Sequence, residues 1–591
     1  MQETEIKFLY DAGVGVVLAV LLAVAIVAAI RSKHAVLWVG CLFVGLVALV
    51  LANSNWRNFS HHGAMHSSIV YEILERGTPP DMPLVAGERI QYFYLFHLIV
   101  ANLMRVIPLA PPWFFAVLNV AGLSGLVLTI DRIARQVSAD RGYRVWVMSL
   151  VLLGFTSILS SPLGKAVEQF LGLPFDSRLD IFHKFTTTNN NQLGILLFAI
   201  TFFALMQLVL GNKLGRNFLL LAVSYVAGGF FYPPLLPAVG LVAGVAVIQL
   251  AVLETPSRRS QAVGIVLVML VGATVFFPWL RSLTANRTGS GTIRVMSLAD
   301  APRNAYILLA LILVPLAVCF FYRRGLAVQR ESNRSLWRFL ILSTIAIQVA
   351  FVLAIGSHSA DLVRKSLTVS QIPLSLIVAQ SFYDMSRERR YVAVCLLTFL
   401  AIPIGYKVAP KVVFGWTVSD SATTVGRYYR HSDESQDELY SWLAAETPVD
   451  AMLIDSYLTV PLFARRQLYV ATDYRRESGV LEKWGREMGL ADGWSDRADK
   501  IMETTNGISR GDLDVRRAIV AEFLSEGPDP LDDTVVRQFK STAGPRSVFI
   551  VARKAAVISR LTAATDHVRA MFHNEAGTVF VLKRANVGRE L

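Results

Sequence analysis

His61, His62 and His66 place three of the chain's ten histidines within six positions. His62 and His66 are four apart, so a helix through them presents both on one face. A neutral imidazole near pH 7 is a proton acceptor or a metal ligand; a hydrogen-bonded cluster at an interface fits the same spacing. No HExxH pattern accompanies them, so a zincin-type hydrolase is not indicated. A second constellation is Asp176, Asp180 and His183, at i, i+4 and i+7. On a helix the three project together. Two carboxylates and an imidazole can hold a divalent cation such as Mg or Mn, or position a hydroxyl for proton removal. Ion pairing with Arg178 and Lys184 is the plainer use of the same residues. The polar run from Thr186 to Gln192 then leads into an apolar segment, as a helix cap does. The third constellation is His358, Asp361, Arg364 and Lys365. A guanidinium matches a phosphate bidentately, and both cations can also snorkel to lipid headgroups. Walker-type phosphate loops, dinucleotide-binding glycine triplets and serine-nucleophile elbows are missing, which leaves a nucleotide-driven pump or a serine hydrolase without its signature.

All three stretches adjoin long apolar blocks. Of 591 residues, 54% are hydrophobic and 17% charged, against about 25% charged in ordinary soluble domains. Mean hydropathy is +0.48. This composition excludes disorder and points to a polytopic membrane protein. Backbone amides in lipid are satisfied only inside helices or barrels, so the blocks are read as helical spans. They are Ala12–Ile30, Ala35–Ala52, Pro112–Ile130, Val145–Leu163, Leu193–Leu210, Phe218–Phe231, Leu235–Leu253, Ala262–Leu280, Ala305–Phe321, Phe339–Ile355, Ser366–Ser381 and Tyr391–Ala409, about twelve spans by length. Tyr232-Pro233-Pro234 separates two of them by a proline-fixed turn.

Lys and Arg set the orientation. Loops 31–34, 131–144, 211–217, 254–261, 322–338 and 382–390 hold 18 Lys and Arg in 59 positions; loops 53–91, 164–192, 232–234, 281–304 and 356–365 hold 12 in 105. The dense set is expected in the cytoplasm, with the long loops and residues 410–591 on the outer side. Gln91–Ile107 is apolar enough to cross, but a crossing there would invert every later loop. It is therefore expected to lie along the outer headgroups.

Residues 1–409 carry 33 basic and 18 acidic residues, and 410–591 carry 24 and 26. The basic excess thus belongs to the membrane region, and the tail has no patch of the kind a nucleic-acid binder needs. The tail reads as a small α/β domain: a helix at Asp437–Ala445 stopped by Thr447-Pro448, and strands at Ala451–Ile454, Val548–Ala552 and Val579–Leu582. Cys41, Cys319 and Cys395 lie inside apolar blocks and read as small core hydrophobes, with no disulfide framework or cysteine zinc site. Glu3 and Glu5 precede the first apolar run, which argues against a cleaved signal peptide.

The first outer loop carries a likeness to a known family in His66, the run from Ile73 to Pro80, Gly87 and Tyr92–Tyr94. The tail carries it in Trp442-Leu443, Glu446–Pro448, Asp450-Ala451 and the stretch from Phe572 to Val581. The chain resembles the GT-C superfamily of integral membrane glycosyltransferases that use polyprenyl-phosphate sugars. The resemblance implies an α-helical polytopic membrane domain over 1–409 and an extracytoplasmic α/β domain over 410–591, in an inner or plasma membrane. It implies a polyprenyl-phosphate sugar donor, a glycan, lipid or protein acceptor, and inversion at the sugar. His62, His66, Asp176, Asp180 and His183 become candidates for base or metal function, and Arg364, Lys365 and Lys184 for binding the donor phosphate. GT-C enzymes usually carry an acidic residue in the first outer loop. His62 stands at that place, and the nearest acids are Glu72 and Glu75. His62 takes the role, Asp176 and Asp180 supply it, or transfer is lost. Two further classes fit the sequence: a transporter, which would favour broken helices at mid-membrane, and an inactive scaffold for lipid-linked glycan.

Overall fold

The computed structural model describes residues 3–30, 32–53, 61–90, 93–155, 181–186, 191–284, 312, 315, 318–320, 333–353, 359–412, 434–455, 460–470, 510–527 and 529–583. Two compact units emerge. One comprises Met1–Ser54, Phe115–Ser282 and Gly289–Val418; the other comprises Asn55–Phe114, Leu283–Thr288 and Ser419–Leu591.

The first unit is helical. Its helices are α1 (Glu3–Ala29), α2 (Ala35–Asn53), most of α5 (Pro111–Val137), α6 (Arg141–Leu153), α7 (Ile181–Phe185), α8 (Asn191–Leu210), α9 (Leu214–Phe231), α10 (Leu236–Ile248), α11 (Arg259–Thr284), α12 (Arg334–Leu353), α13 (Ser359–Glu388) and α14 (Arg390–Val412). Six helical stretches among the described residues are long and apolar enough to cross a membrane: Ala35–Ala52, Pro111–Val137, Gln192–Leu210, Leu214–Phe231, Pro233–Leu253 and Pro256–Ser282. The break expected at Tyr232 is present. α9 ends there, and a short 3-10 turn over Pro233–Leu235 starts the next helix. Of the span expected over Val145–Leu163, α6 covers the part to Leu153 and stops at Gly154, which adopts a φ of 73°, a backbone state that disfavours side chains; residues 156–163 lie outside the described residues. Most of the span expected at Ala305–Phe321 lies outside the described residues. Cys41 and Cys395 are exposed, not core residues. Both lie in stretches of their helices that are apolar on all sides, Ala35–Ala52 and residues 392–404, so sequence alone cannot assign them to the inner face.

α6 and α13 pack closely. Asp140 caps α6 by accepting from Gly142 N at 2.7 Å. A Cβ on Gly142 would stand 2.0 Å from Tyr383, and one on Gly154 would stand 2.4 Å from Gln371 Oε1. Tyr143 Oη donates to Leu376 O at 2.7 Å, and Trp146 Nε1 donates to Ser386 Oγ at 3.1 Å. These contacts fix α13, whose opening turns carry Arg364 and Lys365.

The second unit contains α3 (His61–Arg76), α4 (Leu95–Val106) and the start of α5, with the C-terminal elements α15 (Glu434–Glu446), β1 (Met452–Ile454), α16 (Val460–Phe463), β2 (Gln467–Leu468), α17 (Arg510–Phe523), α18 (Asp533–Ala543), β3 (Val548–Ala552), α19 (Ala555–Ala563), β4 (Val568–Asn574) and β5 (Gly577–Leu582). The strands form one sheet in the order β2-β1-β3-β5-β4. β1 is parallel to β2 and β3; β5 is antiparallel to β3 and β4. Leu439, Leu443, Leu453, Phe549, Val551 and Val579 form its core. The helix and strands expected in the tail are therefore present, with ends shifted by up to three residues. α4 has 12 residues, about 18 Å at the helical rise, too short for a hydrocarbon core of about 30 Å. One face of α4 buries Phe96, His97, Val100 and Ala101, while Ile99, Leu103 and Val106 remain exposed.

Candidate functional site

In the helical unit, the expected phosphate cation Lys365 lies on α13 with its ammonium 5.3 Å from the ring centroid of Tyr232. At that distance the ring quadrupole attracts the cation. Two features of the sequence put Tyr232 there. The following prolines end α9, and Gly194 on α8 leaves room for the ring, since a Cβ would stand 2.2 Å from Tyr232 Cδ1. Tyr232 also lines a small crevice with Gly194, Leu197, Phe198, Tyr225 and Leu236. The polar side chains in its walls are Thr201 and Ser224, whose hydroxyls bond to each other at 2.8 Å, and the two tyrosines. A cation held at a helix start between apolar spans suits the charged head of a membrane-bound anion; the crevice itself has room for about one water and is too small for a hydrocarbon tail. Tyr232 and Gly194 were not singled out from the sequence. The Tyr-Pro-Pro turn was visible, but nothing local indicates which helix receives the ring.

Lys184 is partly buried in α7, a five-residue helix held by Asn119 Nδ2, which donates to Phe185 O at 3.0 Å. Phe182 of α7 meets Phe43 edge to face at 6.3 Å. Arg364 and His183 have helical backbones, and their side chains lie outside the described residues. Asp176, Asp180 and His358 lie outside them altogether. Among the described residues, no group of three His, Cys, Asp or Glu could hold a metal ion. The candidate ligands Asp176, Asp180 and the His183 side chain are not in that set.

In the second unit, α3 is helical from His61, so His62 and His66 share a face as their spacing implies; the side chain of His62 is outside the described residues. His66 is 2% exposed. Its Nδ1 lies 2.7 Å from His97 Nε2, and the rings stack with centroids 4.9 Å apart. Burial first, and the neighbouring His66 second, push His97 well below the usual imidazole range. His97 is therefore held neutral, and which ring nitrogen donates depends on the tautomer. His97 stands in an apolar run 31 positions away, and its role was not legible there.

The two acids near the expected catalytic position are engaged. Glu72 is 3% exposed and accepts from Arg76 Nη1 at 2.5 Å and from Gln467 Nε2 at 3.0 Å. Burial raises its pKa to about 7, against the lowering effects of Arg76 and Gln467. Glu75 lies 3.6 Å from Arg465 Nη1, whose guanidinium also sits 4.8 Å from the Tyr71 ring centroid. Both carboxylates tie α3 to the C-terminal elements.

No protein-family model matches the chain, and no curated protein matches it. Several solved structures are similar. ArnT from Cupriavidus metallidurans, bound to undecaprenyl phosphate, aligns over 94% of this chain and 100% of its own, at 12% identity and a TM-score of 0.49. Arabinofuranosyltransferase AftD from Mycobacteria aligns over 93% of this chain and 40% of its own, at 14% identity and 0.49. An oligosaccharyltransferase from Archaeoglobus fulgidus aligns over 95% of this chain and 76% of its own, at 10% identity and 0.41.

Proposed function

We propose that the chain is an integral membrane glycosyltransferase that moves a sugar from a polyprenyl-phosphate donor to an extracytoplasmic glycan, lipid or protein acceptor, with inversion. Residues 410–591 face the extracytoplasmic side of an inner or plasma membrane, as the Lys and Arg distribution of the loops indicates. The observation that carries the reading is Lys365 held over Tyr232, among helices long and apolar enough to cross a membrane.

Such a donor cannot leave the bilayer, so its enzyme needs an apolar seat for the chain and a cation for the phosphate. In transfer, an acceptor oxygen attacks the anomeric carbon as the bond to the phosphate oxygen breaks. Negative charge grows on the leaving phosphate, where a fixed cation lowers the barrier. Lys365 and Arg364 supply that charge, with Lys184 as a further cation. The acceptor hydroxyl must lose its proton, which an imidazole or carboxylate from His62, His66, Asp176, Asp180 or His183 takes. A divalent cation held by Asp176, Asp180 and His183 would assist by polarising the acceptor oxygen or the phosphate.

The test is binding and turnover with an undecaprenyl-phosphate sugar in nanodiscs. Arg364→Ala should weaken donor binding by about 2–4 kcal/mol if its contact is bidentate and desolvated, and Lys365→Ala should weaken it in the same direction. Asp180→Asn or His62→Ala should lower turnover roughly 100-fold while leaving donor affinity nearly intact. Wild-type activity in all four variants would misplace the site. Failure of any polyprenyl phosphate to bind would favour a transporter or scaffold.

A further inference from the structure

In the second unit, Gln467 and Glu72 meet across 395 positions of sequence. Gln467 is 1% exposed, and both ends of its amide are used. Its Nε2 donates to Glu72 Oε2 at 3.0 Å and reaches Asp81 Oδ2 at 3.5 Å. Its Oε1 accepts from Arg546 Nη1 at 3.4 Å. Around this contact the loop after α3 pairs with the sheet edge: Ala86 N donates to Leu468 O at 2.8 Å, and Leu468 N donates to Pro83 O at 3.0 Å. Arg76, beyond Glu72 on the same helix, bonds Val449 O at the turn before β1. The C-terminal sheet therefore grips the last two turns of α3. The first turns of the same helix carry His62 and His66.

We propose that Gln467 is a positioning residue: through Glu72 it fixes the register and direction of α3 against the C-terminal sheet, and so sets where the imidazoles of α3 stand for glycosyl transfer. The proposal rests on the reading of α3 as the helix that removes the acceptor proton. It gives the C-terminal domain a task in the reaction with no residue of its own touching substrate. A helix transmits the constraint because its backbone bonds leave it stiff along its axis, and a small displacement of a catalytic group lowers rate more than affinity. The contact is selective for an amide. Glu72 presents an acceptor and Arg546 a donor, so the residue between them must donate at one end and accept at the other. The charged and titratable groups around Glu72 are Arg76, Asp81, Arg466 and, through Gln467, Arg546.

The test is Gln467→Met in the full-length protein, which keeps length and burial and removes both hydrogen-bonding ends. Hydrogen exchange is measured over residues 61–76, with β3 and α8 as controls for folding. Exchange in 61–76 should quicken roughly tenfold or more, as for loss of a buried hydrogen bond, and the controls should not change. With a panel of undecaprenyl-phosphate sugars and an envelope extract as acceptor, kcat should fall roughly tenfold or more with the donor KM unchanged. Unchanged exchange in 61–76 would overturn the contact's role in holding α3. Quickened exchange with an unchanged kcat would overturn its role in positioning. A wild-type protein that transfers none of the panel sugars would instead remove the transferase reading, and the exchange result would still decide whether Gln467 holds the helix.

Discussion

Glu72→Gln should abolish a pH dependence that the wild-type fold carries. The Glu72 carboxyl rises from an unperturbed 4.5 to about 7 because burial outweighs the attraction of Arg76 and the hydrogen bond from Gln467. The folded state therefore holds a proton that the unfolded state has released at any pH between these values. Stability falls with rising pH wherever the native state binds more protons than the unfolded one, so this contribution is lost as pH rises from 4.5 to 7 and stays lost above 7. A shift of that size corresponds to about 3 kcal/mol in all, at 1.36 kcal/mol per pKa unit. His97 acts in the opposite sense. Its depressed pKa gives stability above its unfolded value of about 6.5, which is lost as pH falls below that. The wild type alone would show the two effects superimposed, and subtraction of Glu72→Gln isolates the carboxyl. Glutamine keeps an acceptor oxygen for Arg76 or Gln467, so the fold survives the change. The opening free energy of residues 61–76, from hydrogen exchange at several pH values, should fall by roughly 2–3 kcal/mol more in wild type than in Glu72→Gln between pH 5 and pH 8. Parallel pH curves for the two proteins would refute the assignment of Glu72 as a buried, proton-holding carboxyl.

Other expectations follow from individual contacts. His97→Leu should remove a loss of protection in α3 and α4 below about pH 6.5, measured by the same exchange experiment. Gly194→Val should drive the Tyr232 ring from its place, since the added Cβ would stand 2.2 Å from it, and donor affinity in nanodiscs should fall at least as far as in Lys365→Ala. A spin label at Val106, which is 81% exposed, should report a depth at the headgroups and not at the bilayer centre, because α4 is too short to cross.

The fold was legible wherever burial or lipid is specified locally. Apolar runs such as Ala35–Ala52 give a helix of the expected extent because each residue meets an apolar surrounding and the backbone satisfies itself. The strand Val548–Ala552 emerges with the expected ends, its five consecutive apolar residues buried on both faces of the sheet. The end of α6 was not legible. The sequence run continues apolar past Gly154, and both the positive φ there and the closeness of Gln371 on α13 are tertiary facts. The candidate site divides in the same way. The spacing of His62 and His66 and the cations at Arg364 and Lys365 could be read from residue types. The partners could not: Tyr232 for Lys365, His97 for His66 and Gln467 for Glu72 are brought together by packing over long sequence separations. Glu72 illustrates the consequence. In the sequence it is an acid near the expected catalytic position; in the structure its oxygens are held by Arg76 and Gln467.

The central claim is that Lys365, beside Tyr232, receives the phosphate of a polyprenyl-phosphate sugar whose sugar is then transferred. Photo-crosslinking with an undecaprenyl phosphate bearing a diazirine near the phosphate, in nanodiscs, tests it most directly. The account predicts saturable adducts within residues 191–201, 232–239 and 359–371, reduced in Lys365→Ala and competed by unlabelled undecaprenyl phosphate. Adducts spread over the lipid-facing helices, unaffected by competitor or by Lys365→Ala, would contradict it.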